Sequence, residues 1–144
     1  MPYCDVPITH PDFLAAQKIG ATDILKGEGV PYNWANKTLF HPDSLVDAFS
    51  LAKDLEIIFK VPFTVNAKQL LIEDALNIVA HISKVLSAGK TNEQFENNLR
   101  STYAKKYKKE QTLTRIQFAK LLDETVHPFE KMDVNHYGKF KQSY

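Results

Sequence analysis

The stretch NAKQLLIEDALNIVAHISKVLSAG, residues 66–89, decides how the rest of the chain is read. Leu70, Leu71, Ile72, Ala75, Leu76, Ile78, Val79, Ile82, Val85 and Leu86 recur at helical spacing and wrap most of a helix circumference. A helix apolar on so many sides belongs at the buried centre of a helical protein. Asn66 stands where a side chain would cap its first turn, and Gly89 where the left-handed residue that ends a helix is expected.

Working outward, Leu45, Phe49, Ala52, Leu55 and Phe59 form an amphipathic stripe that stops at Pro62. On the other side, Thr91 and Gln94 have the spacing of a capping box and open a helix with the stripe Phe95, Leu99, Tyr103 and Tyr107. Thr114 and Gln117 repeat the box, with Leu113 and Phe118 at the positions of a hydrophobic staple. The helix that follows uses Ile116, Ala119, Leu122 and Val126 and must end or kink near His127, before Pro128. The fold class predicted is all-α, a small bundle of about four main helices.

Residues 1–43 read differently. Five of the seven prolines and three of the five glycines lie in the first 44 residues and interrupt each short apolar run. The organisation predicted is an irregular arm over 1–43 with one short helix from about Pro11 to Ile19, a helical core over 44–131, and a polar tail over 132–144. His10-Pro11-Asp12 and His41-Pro42-Asp43 each put proline and aspartate where a helix begins, and so mark two helix starts. The triplet also resembles the signature of J-domain co-chaperones, but the basic helix that precedes it in that family has no counterpart here.

A chain of 144 residues buries roughly two-thirds of its unfolded surface as one domain. The single cysteine, Cys4, excludes an intramolecular disulfide and has no metal-ligand spacing around it. No apolar run approaches a membrane span, and the first thirty residues show no basic region followed by an apolar core, so an intracellular setting is expected. The net charge of +1 hides an asymmetry: residues 1–99 carry −4 and residues 100–144 carry +5. Sixteen lysines against two arginines, with eight asparagines, resemble the product of an AT-rich genome, and a small helical core carrying an arm and a tail resembles the accessory proteins of ciliary axonemes and of mitochondrial complexes in lysine- and asparagine-rich organisms.

One segment has a family pattern. In Phe129-Glu130-Lys131-Met132-Asp133-Val134-Asn135-His136-Tyr137-Gly138-Lys139-Phe140, Asp133, Asn135 and Gly138 match loop positions 1, 3 and 6, and Phe140 the apolar position 8. The segment resembles a degenerate EF-hand of the calmodulin-like superfamily, which implies helix-loop-helix topology and makes Asp133 and Asn135 the candidate metal ligands. Tyr137 and Tyr144 stand at positions 5 and 12, so two oxygen-ligand positions, one of them the bidentate glutamate, are lost. Taking Ile116 or Val65 as position 8 of another loop supplies no ligands. No cofactor is predicted.

Arg100, Lys105, Lys106, Lys108 and Lys109, interleaved with Tyr103 and Tyr107, suit an acidic protein surface. The competing assignment is a solvated helix face, with the lysines complementing the helix dipole and the tyrosines turned inward. Nucleic acid is disfavoured because base and phosphate forks call for arginine. His81, inside the apolar helix, reads as a satisfied core residue, and the adjacent Glu73 and Asp74 point apart on a helix and make no catalytic dyad. No enzyme is predicted. Tyr32, Trp34 and Phe40 are large aromatics in the arm, either folded back or anchoring it in a partner. The function expected is a non-catalytic accessory subunit docked into a larger protein assembly by arm and tail, with a calcium-responsive adaptor as the alternative.

Overall fold

The computed structural model describes the backbone of residues 3–32, 35–86, 93–108 and 111–131. Among these are the helices α1 (Phe13–Ala21), α2 (Ala48–Phe59), α3 (Ile72–Leu86), α4 (Glu93–Lys106), α5 (Arg115–Thr125) and the single turn α6 (Pro128–Lys131), with strands β1 (Glu28–Tyr32) and β2 (Ala35–Leu39). The protein is therefore mostly helical but not all-α. The helices group in two compact units, Met1–Ser44 with Thr114–Tyr144, and Leu45–Leu113. This division crosses the expected one: the segment predicted as an arm shares a core with α5, which was assigned to the central bundle.

In the Leu45–Leu113 unit three extended residues form a closed cycle of backbone hydrogen bonds. Val46 N–H donates to Leu113 O (3.1 Å), Leu113 N–H to Leu70 O (2.9 Å), and Leu70 N–H to Val46 O (3.1 Å). All three side chains are buried. Two isolated bridges, Asp47 with Gln69 and Leu71 with Thr112, extend the cycle. Leu70 and Leu71 are thereby held extended, and α3 starts at Ile72 rather than just after Asn66. Asn66 caps nothing; its backbone N–H and side-chain amide both donate to the carboxylate of Asp74 (3.0 and 2.8 Å), which accounts for a buried acid in the first turn of α3.

The same cycle sets the rotation of α2. The cap is Asp47, whose carboxylate accepts from Ser50 N–H (3.1 Å), and the buried stripe is Ala48, Leu51, Leu55 and Phe59. Leu45 and Phe49, expected in the core, are left outside. Two apolar sets compete on this segment, and fixing Val46 inside the cycle selects the one that follows it. His41-Pro42-Asp43 is consequently not a helix start; His41 has φ 58, a left-handed turn conformation. The first triplet does precede a helix, with Asp12 N–H donating to His10 Nδ1 (3.0 Å) one residue before α1.

In the other unit α1 packs on α5. The Thr114–Gln117 capping box forms as predicted, and α5 buries Ile116, Phe118, Ala119, Leu121 and Leu122. It ends at Thr125, His127 adopts φ 49, and Pro128 opens α6. The antiparallel hairpin pairs Glu28 with Leu39 through Tyr32 with Ala35. Pro31 is accommodated because each strand of a two-stranded ribbon is an edge strand.

The N-terminal segment is fastened by side chains. Asp5 accepts from Phe40 N–H and His41 N–H, each at 2.7 Å, and so satisfies the turn in which His41 has its positive φ. Arg115, the first residue of α5, donates to the carbonyls of Phe40 (2.7 Å) and Lys26, with its guanidinium over the Phe40 ring at 5.1 Å. Tyr3 lies against Phe40, ring centroids 5.0 Å apart. Its ring also passes close over Gly20 and Gly27, where a Cβ would collide with it. Cys4 N–H donates to Thr38 O (3.0 Å).

Replacing Asp5 by Asn leaves one acceptor for two amides and turns an NH₂ toward the second. D5N is expected to cost about 2 kcal/mol, measured by chemical denaturation, with lost hydrogen-exchange protection concentrated at Phe40 and His41. Burial raises the Tyr3 hydroxyl pKa above its ordinary 10.0, Arg115 opposes the rise, and Asp23 and Asp5 add to it. The folded state thus holds the phenol proton more tightly. That stabilisation is full below pH 10.0 and lost as the pH climbs through the folded value. In an alkaline titration followed by tyrosinate absorbance, one phenol should lag the others, and Tyr3→Phe should remove the lag.

Candidate binding surfaces

The residues singled out by sequence fall in several places. Phe40, offered as a partner anchor, is fully buried against Tyr3 and Arg115 and is not available to a partner. Tyr32 ends β1, its side chain outside the described residues; Trp34 lies outside them altogether, as do Lys109, Asp133 and Asn135. Lys105, Lys106 and Lys108 are exposed at the end of α4. Leu99 and Tyr103 turn inward, Tyr107 stacks beside Tyr103 at 6.3 Å, and the Lys106 ammonium sits 5.3 Å from the Tyr103 ring centroid. The segment thus presents Lys105, Lys106 and Lys108 to solvent, with Lys106 reaching over the buried Tyr103.

Beyond these, the outer side of α2 presents Phe49 and Ile57, 56% and 64% exposed and two turns apart, with Leu45 (41%) just before the helix. Lys53 and Glu56, also exposed, lie between them. Large apolar groups grouped on one helix face are the usual composition of a contact surface.

The second surface is a cleft between α3 and α4 with a volume of about 440 Å³. Asn77, His81 and Lys84 enter from α3, Glu96 and Arg100 from α4. The apolar part of the wall is Val61, Ala80 and Val85. Arg100, itself exposed, donates from Nη2 to Asn77 Oδ1 at 2.7 Å across the cleft. His81 is not a core residue: it is half-buried, with its ring 4.5 Å from that of Phe63 at an interplanar angle of 32°. Its spacing carried a signal. Asn77, His81 and Lys84 follow one another at four and three residues, a polar stripe on the most apolar helix, facing the i, i+4 pair Glu96 and Arg100.

Asp74, the one buried acid of this unit among the described residues, is occupied by Asn66 and is structural. Among the described residues no group of three His, Cys, Asp or Glu side chains is placed to hold a metal ion, and no helix is long and apolar enough to cross a membrane. No protein-family model matches this chain, and no curated protein or solved structure is significantly similar to it.

Proposed function

We propose that the chain is a non-catalytic accessory subunit that docks on a protein partner in a larger intracellular assembly. The observation that carries this is the outer face of α2, where Phe49 and Ile57 stay in water although Leu51, Leu55 and Phe59 complete the core beneath them. Covering what remains exposed of two such side chains contributes roughly 1–2 kcal/mol each, the scale of an interface anchor. Docking is assigned first to α2 because Tyr3, Val6 and Phe40 of the N-terminal segment are already used internally, while the Tyr32 side chain and Trp34 lie outside the described residues. Lys105, Lys106 and Lys108 favour an acidic partner and speed its encounter. By analogy with accessory proteins of similar build, ciliary axonemes and mitochondrial complexes are the assemblies to search first.

The test is quantitative capture from such extracts with wild type and the double variant F49S/I57S. The variant should recover at least about thirtyfold less of the specific partner, as for a lost anchor pair, with an unchanged or raised Tm. Equal recovery would remove the proposal.

A second reading, an EF-hand-type scaffold without metal, is favoured by the backbone cycle, because each apolar cycle residue comes just before the residue that precedes or caps a helix. The cycle residues ahead of α3 and α5 are Leu70 and Leu113, not Val65 and Ile116. Counting either as position 8 gives no ligand set. Leu113 puts Lys106 and Lys108 at positions 1 and 3 and Gln117 at 12; Leu70 puts Phe63 and Val65 at 1 and 3 and the occupied Asp74 at 12. Calorimetry with millimolar calcium is expected to give no binding heat. A heat that disappears in Asp133→Ala would instead support the calcium-responsive adaptor.

A further inference from the structure

The geometry points to a binding site for a small organic carboxylate in the cleft between α3 and α4, with Arg100 as the principal partner of the anion. This goes beyond docking, since the cleft and the outer face of α2 are separate features of the same unit.

Three observations converge. The first is the availability of donors: the bond from Arg100 Nη2 to Asn77 Oδ1 uses one N–H of an exposed guanidinium, leaving other N–H donors for the forked geometry a carboxylate accepts. Among the described residues no ion pair engages Arg100, Lys84 or Glu96. The second is charge. Lys84 and Arg100 against Glu96 leave one net positive charge in the lining, which matches a monoanion. A phosphate dianion would bring its second charge toward Glu96, and an organic cation would meet two like charges.

The third is shape. Val61, Ala80 and Val85 give the cleft an apolar wall, and the His81 ring, backed by Phe63, supplies a flat aromatic lip. A volume of about 440 Å³ falls in the range of small-ligand sites. A carboxylate on an aryl or short branched alkyl body satisfies all three: the head on Arg100 and Lys84, the body along the wall and the imidazole face. Glu96 acts as a selectivity element that admits one negative charge and resists two.

The experiment is an amide-resolved NMR titration of the full-length chain with sodium benzoate, alongside benzylammonium chloride and inorganic phosphate at equal ionic strength. Benzoate should produce saturable shifts at Asn77, Ala80, Lys84 and Arg100 in the millimolar range. Benzylammonium should produce none. R100Q should weaken benzoate by about tenfold, whereas E96Q, which removes the repulsive charge, should tighten it by about threefold. Because E96Q predicts a gain, a folding defect cannot imitate it. Shifts that fail to saturate, an R100Q variant that binds like wild type, equal binding of benzylammonium, or phosphate binding tighter than benzoate would each overturn the assignment.

Discussion

Val46, Leu70 and Leu113 each donate one backbone hydrogen bond and accept one, in a closed cycle with all three side chains buried. Buried backbone groups must be paired, and here three short extended segments, none long enough to be a named strand, satisfy one another. The constraint reaches the helices because Asp47 and Leu71 follow directly on cycle residues. With those positions fixed, the first turns of α2 and α3 have little rotational freedom. This is why α3 begins at Ile72, and why α2 buries Ala48 and Leu51 while Phe49 is left in water.

The N-terminal segment follows a different logic. Its prolines and glycines prevent long elements, so it cannot form a core from periodic side chains alone, and it joins α5 through a few specific groups. Asp5 satisfies the turn at Phe40 and His41, and Arg115 ties the carbonyls of Phe40 and Lys26 to the start of α5. Gly20 and Gly27 are where the Tyr3 ring comes closest to the backbone, and any side chain there would displace it. Burial pulls the Arg115 guanidinium below its ordinary pKa, with Tyr3 and Asp5 countering. Charge-assisted bonds to backbone thus add to the apolar contacts that hold this unit.

The two candidate surfaces arise from what packing leaves over. On α2 one of two overlapping apolar stripes is selected and the other is exposed. On α3 the apolar circumference is broken by Asn77, His81 and Lys84, and the gap between helices is bordered by charges that among the described residues form no ion pairs with one another. Both surfaces lie in the Leu45–Leu113 unit, whereas the Tyr3, Val6 and Phe40 side chains of the N-terminal segment serve folding.

Local chemistry determined much by itself. The Thr114–Gln117 box, the end of α5 before Pro128, the helix after Pro11 and the inward turn of Leu99 and Tyr103 all depend on residues within about four positions of one another, the range over which caps and periodicity act. The lysines at the end of α4 were visible for the same reason. Tertiary structure decided the rest. Asp5 and Phe40 are 35 residues apart and Arg115 and Phe40 are 75 apart, and no local spacing marks such partners. Leu70 and Leu71 read as helix because their apolarity fits either state, and only pairing with Val46, Leu113 and Thr112 makes them extended. His81 read as core because its helix is apolar; that a cleft opens beside it, with Arg100 across the gap, depends on how α4 returns along α3.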